Sequence, residues 1–139
     1  MPFERAIAAD PNFALAHARL SSMHARLYHY GYDRSDARRL AALEAAERAL
    51  ALEPGLAAAR LSLGYYYYWC AQDYARALEE LETAQRLEPN NTRIWLAMAY
   101  AMGHPFVAPV KMWTMRLAGE PDRWYYSDPG DYEYLYHFV

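Results

Sequence analysis

Lysine is nearly absent from this chain: of 14 basic residues among 139, only Lys111 is a lysine, and the net charge is −3. No polybasic tract exists to neutralise a phosphate backbone or to dock on an anionic surface, so neither nucleic acid nor a membrane is an expected partner. Cysteine is as scarce. Cys70 alone can form neither an internal disulfide nor a thiolate zinc cage, which fits a reducing, cytoplasmic setting. Long apolar runs are also missing. The densest, Tyr65–Ala71, is mostly tyrosine and falls far below the roughly 18 residues of a membrane span, and the charged opening MPFERAIAAD lacks the apolar centre of a signal peptide. No Gly-x-Ser-x-Gly elbow, His-Glu-x-x-His, phosphate loop or dinucleotide glycine fingerprint occurs. The chain is therefore expected to be neither an enzyme nor a holder of a metal or cofactor. His17 and His24, seven apart, would need a third ligand to hold a metal, and a locally bonded imidazole is the plainer reading.

What the chain does contain is repetition. Three segments end alike, at Asp10-Pro11, Glu53-Pro54 and Glu88-Pro89, each with an alanine five residues before the proline. Proline after an alanine-rich run cannot continue a helix and biases its predecessor away from helical angles, so each segment marks a helix end. The prolines lie 43 and 35 residues apart, room for two helices and their turns. Apolar residues at Ala59, Leu63 and Tyr67, then at Ala77, Leu81, Ala84 and Leu87, have the spacing of helices with one buried stripe. Gly64, inside the first stripe, is expected to let that helix approach the one carrying Ala77 and Ala84. Asn12, Asn91, Asp73 and either Ser35 or Asp36 are candidate helix caps, Tyr28–Asp33 reads as a long turn, and Pro109–Leu117 fits one short helix.

Leu63-Gly64-x-x-Tyr67, followed by Ala77, Leu81, Ala84 and Pro89, resembles the tetratricopeptide repeat (TPR), with Arg60 in the tryptophan position and one extra residue placed in the turn Trp69–Asp73. The unit before it matches through Leu20, Ala42, Ala46, Ala49 and Pro54, with Ser21 and His24 in the glycine and tyrosine positions. A third begins with Trp95, Met98 and Ala99. The resemblance implies an all-α fold of antiparallel helical hairpins stacked as a short right-handed solenoid, similar to a piece of a bacterial-type array. Residues 1–104 would form the repeats: a partial unit over 1–11, units over 12–54 and 55–89, and the start of another over 90–104. Because the chain opens on what reads as the second helix of a unit, its ends are expected to self-associate or to be covered by preceding residues.

In this family the first helix of each unit lines a concave groove. By position, the resemblance assigns to that groove Arg19, Ser22 and Arg26, then Leu61, Tyr65, Tyr68 and Trp69, then Arg93, Leu96 and Tyr100. Guanidinium groups pair carboxylates and rings give contact area at low entropic cost, so such a surface suits an acidic or aromatic protein segment. The family's carboxylate clamp for chaperone tails is not matched, since Ala18, Ser22 and Ser62 stand where its Lys and Asn residues would be and only Arg93 fits. The expected function is a non-catalytic protein-interaction module binding a peptide in this groove. The alternative is a structural or regulatory spacer of a larger signalling protein, its groove filled by its own C-terminal segment. That segment, 105–139, departs from the family. It carries Glu120, Asp122, Asp128, Asp131 and Glu133 against Arg123, amid Trp124, Tyr125, Tyr126, Tyr132, Tyr134, Tyr136 and Phe138. So much apolar area is expected to fold back, over an open repeat end or into the groove.

Overall fold

A computed structural model describes residues 2–103, together with 115–116 and 124–125. The described chain is helical: α1 (Pro2–Ala9), α2 (Ala14–His29), α3 (Asp36–Leu52), α4 (Ala57–Tyr65), α5 (Tyr74–Leu87) and α6 (Thr92–Met102). Beyond them, β1 (Met115–Arg116) pairs antiparallel with β2 (Trp124–Tyr125). Met115 and Arg116 thus lie in a strand where the sequence reads as the end of a short helix; apolar runs of that length do not separate the two states without a pairing partner. The remainder of that helix, and the fold-back expected of residues 120–139 apart from β2, lie outside the described residues. Among the described residues no helix is long and apolar enough to cross a membrane.

Three inter-helix turns are built from the same hydrogen bonds. In each, the amide of the acidic residue closes the preceding helix: Asp10 onto Ala6, Glu53 onto Ala49 and Glu88 onto Ala84, all at 2.9 Å. The carbonyl of that residue accepts from the residue three further on, from Phe13 and Leu56 at 3.1 Å and from Asn91 at 3.2 Å. The carbonyls of Phe13, Leu56 and Asn91 then open the next helix, accepting from Ala16, Ala59 and Ile94 at 3.0, 3.1 and 3.1 Å. Proline at the second position of such a turn is preset in φ and has no amide to satisfy. The residue six after each proline is also used locally. His17 Nε2 donates to the Pro11 carbonyl at 2.9 Å and the Trp95 indole donates to that of Pro89 at 2.6 Å. Arg60 instead crosses to Glu80 on α5, at 2.9 Å.

Side chains cap α3, α5 and α6: Ser35, Asp73 and Asn91 accept from the amides of Arg38, Arg76 and Arg93. Asn12 does not cap α2. The two-residue step from proline to N-cap puts Phe13 there, so Asn12 corresponds to Asn90, and its own amide donates to Asp10 Oδ1 at 3.0 Å. Tyr28 and His29 also differ from expectation, belonging to α2 and not to the turn.

α2 packs against α3, α4 against α5 and α5 against α6, while α2, α4 and α6 are neighbours in a row and α1 rests on α2. The close approaches rest on small residues. Ser21, Gly64 and Ala99, each ten residues after its proline, are all buried. Ser21 donates to the Ala42 carbonyl of α3 at 2.6 Å. A Cβ on Gly64 would lie 3.6 Å from the corresponding carbonyl, Ala77, and only 2.6 Å from Leu81 Cδ2, so Leu81 and not Ala84 is its tight partner. Leu81 joins Leu61, Leu78, Ile94 and Met98 in the main core cluster. Leu87, the last residue of α5, falls off the buried stripe and is 44% exposed.

The stretch Trp69–Asp73, where the sequence places an extra residue in a turn, is helical as far as Ala71. α4 continues as a π-helical turn over Tyr66–Ala71, stopped by Gln72 in the left-handed region (φ 54°). A π turn closes i→i+5 bonds and so takes up more residues per turn than the 3.6 of an α-helix, which lets a helix accommodate an extra residue without a loop.

Candidate functional site

Arg19 and Arg26 stand seven residues apart on α2, about two turns, and therefore share one of its faces. Across from them α4 ends in Tyr65, and α6 contributes Arg93 and Tyr100. All three guanidinium groups act on the Tyr65 hydroxyl, as does Tyr100: burial raises the phenol's pKa, while Arg26, Arg93 and Arg19 draw it back down. Arg19 is itself partly buried, and that burial, followed by the like charge of Arg93, lowers its pKa against the weaker pull of Tyr65 and Glu88. Among the described residues Arg19, Arg26 and Arg93 have no ion-pair partner. The pairs found there are Arg38–Asp33, Arg39–Asp36 and Arg60–Glu80. The face thus gathers positive charge beside apolar rings, offset among the described residues only by the weaker influence of Glu88 on Arg19.

The rings form a ladder. Tyr65 stacks on Trp69 with centroids 4.5 Å apart and planes at 7°, and Trp69 stacks on His29 of α2 at 5.1 Å and 19°. Tyr30 continues it, tilted, at 5.2 Å from His29. The first pair, Tyr65 and Trp69, spans the passage from α4 into the π turn. Burial and the nearby Arg34 lower the His29 pKa, which favours an uncharged imidazole as a stacking surface. Beside the ladder, the Tyr68 hydroxyl donates to the Tyr100 carbonyl at 3.5 Å, linking the π segment to α6.

Of the positions expected in a groove, Arg19, Arg26, Tyr65, Trp69, Arg93 and Tyr100 come together here, with Tyr68 joined through Tyr100. Ser22 lies between the two arginines on α2 and is half-buried, and Leu96 is exposed on α6. Leu61 does not line a surface. It is 3% exposed and packs in the core, because α4 is enclosed by α2, α5 and α6 and has little free circumference. His29 and Tyr30 were not legible as members. Trp69 is forty residues from His29, and no local pattern announces a stack across that separation.

Other chemistry is committed elsewhere. Besides His17, bonded to Pro11, His24 Nδ1 accepts from Arg38 at 2.7 Å, so the two imidazoles do not form a metal pair. Among the described residues no group of three metal-ligating side chains occurs. Cys70 is buried and its thiol is pushed up to about 11, far from a reactive thiolate at neutral pH. No protein-family model matches this chain, and no curated protein matches it.

Proposed function

We propose that this chain is a TPR-like array of stacked helical hairpins acting as a non-catalytic protein-interaction module, which holds an acidic and aromatic peptide segment against the α2/α4/α6 face. The repeat reading is supported by the three turns with equivalent hydrogen bonds, by the small buried residues ten positions after each proline, and by the row of α2, α4 and α6. The observation that carries the binding reading is the convergence of Arg19, Arg26 and Arg93 on Tyr65, beside the Tyr65–Trp69–His29 stack and without an ion pair among the described residues. Guanidinium groups held near one another without an ion pair favour an incoming carboxylate, and stacked rings offer a rigid platform for a ligand's aromatic side chain.

The full chain is to be tested on an array of peptides that vary acidic and aromatic content independently. Peptides carrying both are expected to bind, and Arg19→Glu or Arg93→Glu to weaken them about tenfold or more, as loss of one charge-assisted hydrogen bond of about 1.5–3 kcal/mol requires. The melting temperature should stay close to the parent's, since neither arginine holds an ion pair among the described residues. Binding that ignores the charge reversals, or no preference for acidic aromatic peptides, contradicts the reading.

A further inference from the structure

We infer that the face formed by Arg19, Arg26, Arg93 and the ring ladder is occupied in cis by residues 131–138 of the same chain, so that the peptide site is self-masked until a competitor displaces them. This rests on the reading of that face as a peptide site and adds its regulation.

The first argument is charge. The three arginines have no ion-pair partner among the described residues, and Arg19 and Arg93 bear on each other with like sign. From Leu117 onward the chain carries a net −4, against +1 for residues 1–116. The cations without an ion pair among the described residues and the excess carboxylates therefore lie on different parts of one polypeptide.

The second is pattern. Residues 131–138 read Asp-Tyr-Glu-Tyr-Leu-Tyr-His-Phe. On extended backbone successive side chains alternate, which sets Asp131 and Glu133 along one edge, about 7 Å apart, and Tyr132, Tyr134, Tyr136 and Phe138 along the other. The face is divided in the same way. Arg19 and Arg26 run along α2 with about 10 Å between their backbone positions, within reach of two such carboxylates for long side chains, and the rings of Tyr65, Trp69 and His29 lie beside them. One strand-like segment thus satisfies both halves at once.

The third is reach. Tyr100, in the last turn of α6, already belongs to the cluster, and 28 residues separate Met102 from Asp131, far more chain than a return to the neighbouring face requires. Covalent linkage in one chain raises the effective concentration of such a segment at its site, to roughly millimolar at best. Even a segment with a Kd of about 0.1 mM then occupies its site most of the time, and masks it from a competing peptide by about tenfold.

The test uses the full chain and a fluorescent peptide of residues 131–138 supplied in trans, followed by anisotropy. The parent is compared with a full-length Asp131→Asn/Glu133→Gln variant, whose substitutions leave the helices untouched. The variant is expected to bind the peptide about tenfold more tightly than the parent, and adding Arg19→Glu and Arg93→Glu should abolish that gain while the helical melt is unchanged. Equal, tight binding by parent and variant overturns self-masking but leaves the peptide site standing. No binding by either chain overturns the inference at its root, and the function then stands or falls on the peptide array alone.

Discussion

The His24 imidazole, 8% exposed on α2, accepts at Nδ1 from Arg38 of α3, and Arg38 also holds Asp33 of the intervening turn at 3.0 Å. A guanidinium has no acceptor, so Nδ1 must be bare and the ring neutral, with its proton on Nε2. Burial first, then the charge of Arg38, lowers the His24 pKa; Glu4 and Asp33 oppose this more weakly. The unfolded chain, with an ordinary imidazole near 6.5, therefore takes up the proton before the folded chain does. Stability from this contact is complete above about pH 6.5 and is lost as pH falls from there toward the folded-state value. His29 is shifted in the same direction, so the effect of His24 is isolated by comparison with His24→Gln, whose amide oxygen can accept from Arg38 without titrating. Between roughly pH 7 and 5.5 the parent should lose more thermal stability than the variant. Parallel losses in the two proteins would mean that the Arg38 contact does not select the neutral ring.

Between elements, the contact of α4 with α5 turns on Gly64 and Leu81. Leu81 is 1% exposed, and both its Cγ and its Cδ2 would lie within 2.7 Å of a Cβ at position 64. Any side chain at position 64 must displace Leu81, which is packed in the main core cluster. Gly64→Leu is therefore expected to destabilise by about 1–3 kcal/mol or more, and the gain of about 1 kcal/mol in helix propensity offsets only part of this. Leu81→Ala alone should cost about 2–5 kcal/mol, but in the double variant the new leucine fills the vacated space. Calorimetric melts should then show the pair less destabilised than the sum of the singles; strict additivity would mean the two positions do not share that space. This contact was legible in sequence because glycine inside a helical stripe is locally unfavourable and needs a neighbour to explain it. The helix ends at Pro11, Pro54 and Pro89 were legible for a similarly local reason. Asn12 misled, since cap chemistry is common to Asn12, Asn90 and Asn91 and only the length of the turn selects which of them caps. The π turn was hidden because an inserted residue has the same composition whether a loop or a widened helical turn absorbs it.

For the molecule as a whole, sequence pattern identifies which residue types lie along α2, α4 and α6, but not which of them the neighbouring helices enclose. Leu61 and Tyr65 lie four apart on α4, yet one is buried in the core and the other lies within the electrostatic influence of three arginines from α2 and α6. His29 entered the ladder only through the docking of α2 against the π segment, a contact without local trace. The central claim is that these residues, distant in sequence, act together as one peptide-binding face. It is tested most directly by titrating the full isotope-labelled chain with an acidic aromatic peptide and following arginine Nε–H and tryptophan indole resonances. The Trp69 indole and the Nε–H groups of Arg19, Arg26 and Arg93 should shift together with a common Kd. Trp95, bonded to the Pro89 carbonyl, and Arg60, paired with Glu80, should stay in place. Shifts that fall on Trp95, Arg60 or α3 while Trp69 and the three arginines remain still would contradict the account.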